Sequence, residues 1–273
     1  MKAIRAVLAF SPMYAFVERS FGLIRRYWAW EMVFLFYTVI NTLTIGLIGL
    51  SGNVSAADQQ QFVLYLVIGA LFWGFMSVLF EEVSNSITWE RWEGTIEYTF
   101  MAPVHRITHL FGMCMFAILY GIFRTVIVLL VVALFFDLTI DTASLLRSLV
   151  VLFLGSPAFM GLGIIASVLP LLSPEKGAQG THIIQGIIML VSGIYYPVEV
   201  LPVWLHPIAY ASPGTYALEG ARATLLEGAT LVDIMPALLK MVGIGVVLIP
   251  LGLWIFSIAE KHAMRTGKLK RNG

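Results

Sequence analysis

Long stretches without a charged side chain limit this chain to very few folds. Residues 32–50 and 62–80 carry no Asp, Glu, Lys or Arg, and neither do residues 148–174. Nineteen residues, the length of each of the first two runs, reach across about 30 Å of hydrocarbon when helical. Inside a bilayer every backbone N–H and C=O must find its partner within the protein, which favours helices over open sheets. The whole chain supports this. It has 273 residues, 59% hydrophobic and 12% charged, with a mean hydropathy of +0.88. A soluble domain of this size is about 25% charged. No region is long and polar enough to form a separate soluble domain, and a net charge of +1 gives no field suited to nucleic acid.

The reading is therefore an all-α integral membrane protein forming one transmembrane domain. Six spans are expected, at 32–50, 62–80, 107–136, 148–172, 181–195 and 237–259. Residues 1–31 alternate basic and apolar side chains and end in Tyr27, Trp28 and Trp30, which predicts an amphipathic interfacial segment. Lys2 and Arg5 are not followed by an apolar core with a cleavage site, so no removable signal is expected. The fourth span holds Gly155, Pro157, Gly161, Gly163 and Pro170, which predicts a kink. Pro197, Pro202, Pro207 and Pro213 prevent one continuous helix over 196–233. That region fits either two short helices dipping into the outer leaflet or a surface loop anchored by aromatics.

Lys and Arg settle the expected orientation. Thirteen of the 17 fall on the side that holds both termini. The excess of positive charge on that side puts the termini in the cytoplasm of an inner-membrane protein. Residues 81–106, EEVSNSITWERWEGTIEYTFMAPVHR, lie on the same side. At helical spacing, Trp89, Trp92, Ile96 and Phe100 share one stripe, and Glu90, Glu93 and Glu97 the adjacent one. Such a helix would lie on the bilayer with its aromatic side down and its acidic side towards another protein. Pro103 is expected to end it.

Chemistry is sparse. There is no G-x-x-x-x-G-K-[ST], G-x-S-x-G or H-E-x-x-H. ATP hydrolysis by this chain is not expected, and no catalytic residue or metal site is identified. His105 and His109 stand four apart, but their position at the surface argues against a ligand pair. Cys114 lies in an apolar run as a small core residue. Acidic side chains sit at span ends and in loops, which weakens an ion-coupled secondary carrier. Arg124 is the one clear charge inside a span. It reads as a contact for an anionic head group, as an intramembrane charge pair, or as an arginine reaching for the outer interface.

Two segments carry a resemblance. Glu93, Gly94, Thr95, Glu97, Ala102 and Pro103 form the first. Gly193, Pro197, Val200, Leu201, Pro202, Pro207, Pro213, Tyr216, Glu219 and Arg222 form the second. Together they resemble the ABC-2 type permease family, the membrane subunits of bacterial and archaeal ABC exporters, in a compact member. The resemblance implies that the first loop is a coupling helix docking in a separate ATPase subunit through Glu90, Glu93, Gly94, Thr95, Glu97 and Tyr98. It implies a connecting helix over 17–30 and a smaller cytoplasmic contact at 173–180. It further implies a re-entrant outer pair of helices bearing Pro197, Glu199, Pro202, Tyr216, Glu219 and Arg222. Family members pair two permease subunits, identical or different, with two ATPase copies that bind ATP and Mg. They export drugs, lipids or lipid-linked glycans. A membrane scaffold using the same acidic loop as a plain partner site is the alternative, with an ion-coupled carrier behind it.

Overall fold

The computed structural model describes residues 2–51, 56–138, 141–173 and 176–266. The loop tip around Asn53, Pro174 and Glu175 in the second near-side loop, and the basic tail from 267, lie outside these. Among the described residues every regular element is helical. In order they are α1 (Lys2–Arg26), α2 (Trp28–Leu50), α3 (Ala56–Ser84), α4 (Ser86–Trp92), α5 (Ile96–Met101), α6 (Arg106–Phe135), α7 (Thr142–Ala166), α8 (Val168–Leu172), α9 (Gly177–Val191), α10 (His206–Ala211), α11 (Pro213–Leu226) and α12 (Met235–Arg265). Short 3-10 turns at Val198–Val200 and Val203–Leu205 join α9 to α10.

Five segments are long and apolar enough to cross a membrane: Trp28–Leu50, Gln59–Ser84, Ile107–Phe135, Thr142–Leu172 and Met235–Arg265. They coincide with five of the six expected spans. The remaining one, 181–195, appears as α9, which begins earlier, stops at Val191 and has 15 residues. Gly193, at φ +67°, turns the chain there, a backbone state that favours glycine. Pro157 lies inside a continuous α7, and the interruption expected of the fourth span falls at Ser167 instead. Pro170 accounts for that position, since its ring conflicts with the carbonyl four residues earlier, on Ala166.

The core runs along α3 and α7. Phe75, Leu79 and Val83 of α3 pack with Phe159 and Ile164 of α7 and with Met241 of α12. By contrast α2, α6 and α12 expose apolar side chains outward, among them Phe36, Tyr37, Phe123, Leu134 and Trp254. That is the pattern of helices facing lipid. The α7–α12 crossing is built on small residues. A Cβ on Gly161 would come within 2.7 Å of Leu248, and one on Gly252 within 3.0 Å of the Gly161 carbonyl oxygen. Close backbone approach of this kind supplies the packing energy that a hydrophobic drive cannot supply inside lipid.

The bundle has two distinct ends. The near end carries α1, α4, α5 and α8. The far end carries the end of α11, where Arg147 of α7 donates to the Gly228 and Ala229 carbonyls, while the start of α11 lies deeper, with Gly214 against Phe159. α1 lies along α6, with Phe21 edge-on to Phe116 and Gly112 admitting Phe16. The chain bends at Tyr27 before α2, so residues 27–30 of the expected connecting helix form a junction and the opening of a span.

Candidate functional site

The near-end loop is two short helices set at an angle. α4 ends at Trp92, Gly94 takes φ +69°, and α5 starts at Ile96. Ala102 is extended ahead of Pro103, which closes α5 as expected. The break at Gly94 corrects the single-helix stripes. Ile87 and Ile96 are buried, while Trp89 is 47% exposed, Trp92 73%, Tyr98 78% and Met101 84%. The tryptophans therefore point away from Ile96. The Phe100 side chain lies outside the described residues.

Glu90 is the centre of the site and faces inward. It is 3% exposed. Its Oε1 accepts from Arg19 Nη1 of α1 at 2.9 Å and from Thr99 Oγ1 of α5 at 3.2 Å. His109 Nε2 of α6 stands 3.1 Å from the same oxygen. Arg19 also donates through Nη2 to Thr95 Oγ1 at 2.8 Å. Four elements thus meet on one carboxylate. Burial pushes the Glu90 carboxyl up, but His109 and Arg19 together outweigh it and hold the group below the ordinary carboxylate range.

Glu93 makes a second tie, at the surface. Tyr27 Oη donates to its Oε1 at 2.8 Å, and Arg26 lies 3.6 Å from its other oxygen. That bond and the adjacent negative charge raise the Tyr27 phenol above its usual value. Arg91, 4% exposed, donates to the Leu171 carbonyl at 3.1 Å and so joins α4 to the end of α8. Glu81 accepts from Gln185 of α9 at 3.0 Å.

Of the six residues assigned to docking, only Glu97 and Tyr98 stand free on the near face. Glu90 corrects that assignment, since burial and three partners withhold it from any outside protein. Glu93, Gly94 and Thr95 shape the turn. Trp92 and Met101, absent from the assignment, are the most exposed apolar side chains beside Glu97. In the sequence Trp92 falls on the stripe expected to face the bilayer, and no pattern singles out Met101.

Arg124 sits on α6 against α2. It donates to the Phe34 carbonyl at 2.8 Å and to Thr38 Oγ1 at 2.6 Å. Phe34 and Thr38 belong to the near half of α2, so Arg124 does not reach for the far interface. At the far end, Arg222 donates to the Gly193 carbonyl at 3.0 Å and to that of Ile194. Its guanidinium lies 3.6 Å over the Tyr65 ring. It thereby covers carbonyls left open where α9 ends. Tyr216 Oη donates to the Tyr210 carbonyl at 2.8 Å, linking α11 to α10. α11 is buried from Pro213 to Leu218 and packs on α3, α7 and α12, while Pro197, Glu199, Pro202 and Glu219 are exposed.

One family model, described as ABC-2 type transporter, matches residues 11–226. That span takes in the clamp on Glu90, Arg124 and the far-end segment through α11. No curated protein matches the chain.

Proposed function

The chain belongs to the ABC-2 type transporter family, as the permease subunit of an ABC transporter that works with an ATPase subunit, and on that premise we propose that it exports an amphipathic cargo. The cargo, a drug, lipid or lipid-linked glycan, leaves the cytoplasm or the inner leaflet. Two ATPase copies bind ATP and Mg and supply the work, and two permease subunits, identical or different, form the membrane half. The excess of Lys and Arg at the near end supports a cytoplasmic location for that end and for both termini.

The observation that carries this reading is the buried tie of Arg19 to Glu90. A force applied to α4 and α5 cannot be absorbed locally. Glu90 passes it to α1 through Arg19 and to α6 through His109, and Arg91 passes it to α8. Glu97, Tyr98, Trp92 and Met101 then form the face that an ATPase groove would grip. Apolar side chains at the centre of such a contact supply most of its free energy, and a flanking carboxylate selects the partner. At the far end, α10 and α11 correspond to the re-entrant pair that closes the exit, with Arg222 pinning their approach to α9. Pro197, Glu199, Pro202, Tyr216 and Glu219 shape that segment.

The test is co-expression with the ATPase. Glu97→Lys combined with Tyr98→Ala should lower co-purification of the ATPase about tenfold, the effect of about 1.4 kcal/mol, while the permease elutes unchanged. ATPase turnover stimulated by cargo should fall in step. Wild-type values for both would end the docking assignment. A scaffold built on the same face would bind the ATPase yet show no cargo-stimulated turnover.

A further inference from the structure

Helix α12 outlasts the membrane. From Met235 to Trp254 it rises about 30 Å, the depth of the hydrocarbon, and Trp254 is exposed where an interfacial aromatic belongs. A second marker agrees. A Cβ on Gly252 would come within 3.2 Å of Ile164, and one on Gly163 within 3.2 Å of the carbonyl oxygen of Phe80, the last residue of a charge-free run. Lys261 then stands about 10 Å past Trp254 along the helix axis, and Arg265 about 16 Å. The head-group layer is about 5–8 Å deep on each side, so both side chains clear it. Phe256, Ala259, Glu260 and Ala263 keep one face of these last turns buried. On the opposite face Lys261, His262, Met264 and Arg265 are exposed. No ion pair reaches Lys261 or Arg265 among the described residues. Helix α8 packs between this end of α12 and α4. Leu171 shares one core with Ala259, Ala263 and Ile87, and Arg91 holds its carbonyl. The basic end of α12 is therefore two helix spacings, about 20 Å, from the loop that bears Trp92, Glu97, Tyr98 and Met101.

A helix C-terminus favours cations on its own. It does not call for Met264, which is 51% exposed beyond the head groups. An apolar side chain flanked by cations is the composition of a contact with an acidic protein surface. A standard contact covers about 800 Å² per partner, a patch about 30 Å across, which takes in both the loop and the end of α12. We propose that the end of α12 is a second docking surface for the ATPase subunit, with Met264 on an apolar spot and Lys261 and Arg265 on carboxylates. The two surfaces carry opposite charge, Glu97 on one and Lys261 with Arg265 on the other. One orientation of the ATPase satisfies both, and a reversed one sets like charges together. The second surface thus fixes direction as well as affinity. The inference rests on the docking face proposed above.

The test uses the full permease in phosphatidylcholine nanodiscs and measures binding of the ATPase at low salt and at about 1 M, where charges are screened beyond about 3 Å. Lys261→Glu with Arg265→Glu should weaken binding about tenfold at low salt, two exposed pairs turned to repulsion at about threefold each. At high salt the same variant should bind as the wild type does. Met264→Ala should weaken binding about fivefold at both salts, as partial loss of a buried methionine implies. A carbodiimide, which joins an amine directly to a carboxylate, should link Lys261 to an Asp or Glu of the ATPase in the wild-type complex, a readout that needs no variant to fold. Unchanged binding after charge reversal, or links from Lys261 within the permease alone, overturns the proposal. In nanodiscs containing phosphatidylglycerol, a charge reversal that sheds this lipid but leaves the ATPase bound would assign the end of α12 to the membrane and overturn it too. Glu97→Lys with Tyr98→Ala, measured alongside, separates the two readings. Weaker binding there with no change in the α12 variant ends this proposal alone, and no change in either ends both.

Discussion

Glu90 shows how little a residue's type says about its use. In the sequence it is one of five acids in a polar loop, and exposure is the natural expectation. In the fold it is the anion on which Arg19, Thr99 and His109 converge. Removing one member of a buried ion pair strands the other. Arg19 is 31% exposed, which reduces the effect, so Glu90→Gln is expected to cost about 1–2 kcal/mol. The pH dependence has a definite sign. Because the carboxyl is held below its ordinary 4.5, its stabilisation is complete above that value and is lost as pH falls through the lower folded value. The thermal midpoint of the wild type should therefore drop more steeply below about pH 4.5 than that of Glu90→Gln. Parallel acid limbs would show that the ion pair contributes nothing. His109, Arg19 and Glu90 are far apart in sequence, and no local pattern signals their meeting.

At the scale of elements, backbone approach matters more than side-chain hydrophobicity. Gly69 on α3 faces the turn after α9 so closely that a Cβ would fall well inside contact with the Ile194 carbonyl oxygen, and 3.2 Å from an Arg222 nitrogen. The obstacle is backbone, which cannot rotate aside. Gly69→Ala should destabilise the protein by about 1–3 kcal/mol and loosen the Gly193 turn, seen as faster protease cleavage between α9 and α10. Unchanged proteolysis would mean that the far-end segment does not depend on this approach. Gly94 plays the opposite part, supplying a left-handed residue that lets α5 leave the direction of α4. The aromatic and acidic stripes read from sequence assumed one helix. The turn at Gly94 rotates the second half, and that is why Ile96 is buried while Trp92 and Tyr98 are not.

For the whole molecule, the expected consequence concerns sidedness. Cys114 is buried, so a cysteine introduced at Glu97 reports almost alone. A membrane-impermeant maleimide should leave Glu97→Cys unmodified in intact cells and label it after permeabilisation. Labelling from outside would invert the orientation and remove the ATPase from its docking face. The bundle has one buried spine, α3 with α7, and three helices exposed on their outer faces, α2, α6 and α12. The clamp on Glu90 ties a flank, through α1 and α6, to the loop at the near end. Motion delivered there therefore reaches α6 directly, and Arg124 with it.

Composition and charge-free length alone determined that this chain is a helical membrane protein, because continuous apolar runs of about nineteen residues cross hydrocarbon as helices that pair their own backbone groups, whereas barrel strands are shorter and alternate apolar with polar side chains. Five spans and the position of the polar loop were legible for the same reason, and the loop and Pro-rich segment pointed to the family. The direction of Glu90, the partners of Arg124 and the burial of α11 were not legible. Each depends on which helices pack together, and that is decided by close glycine contacts and pairings between distant residues, which a periodic pattern does not encode.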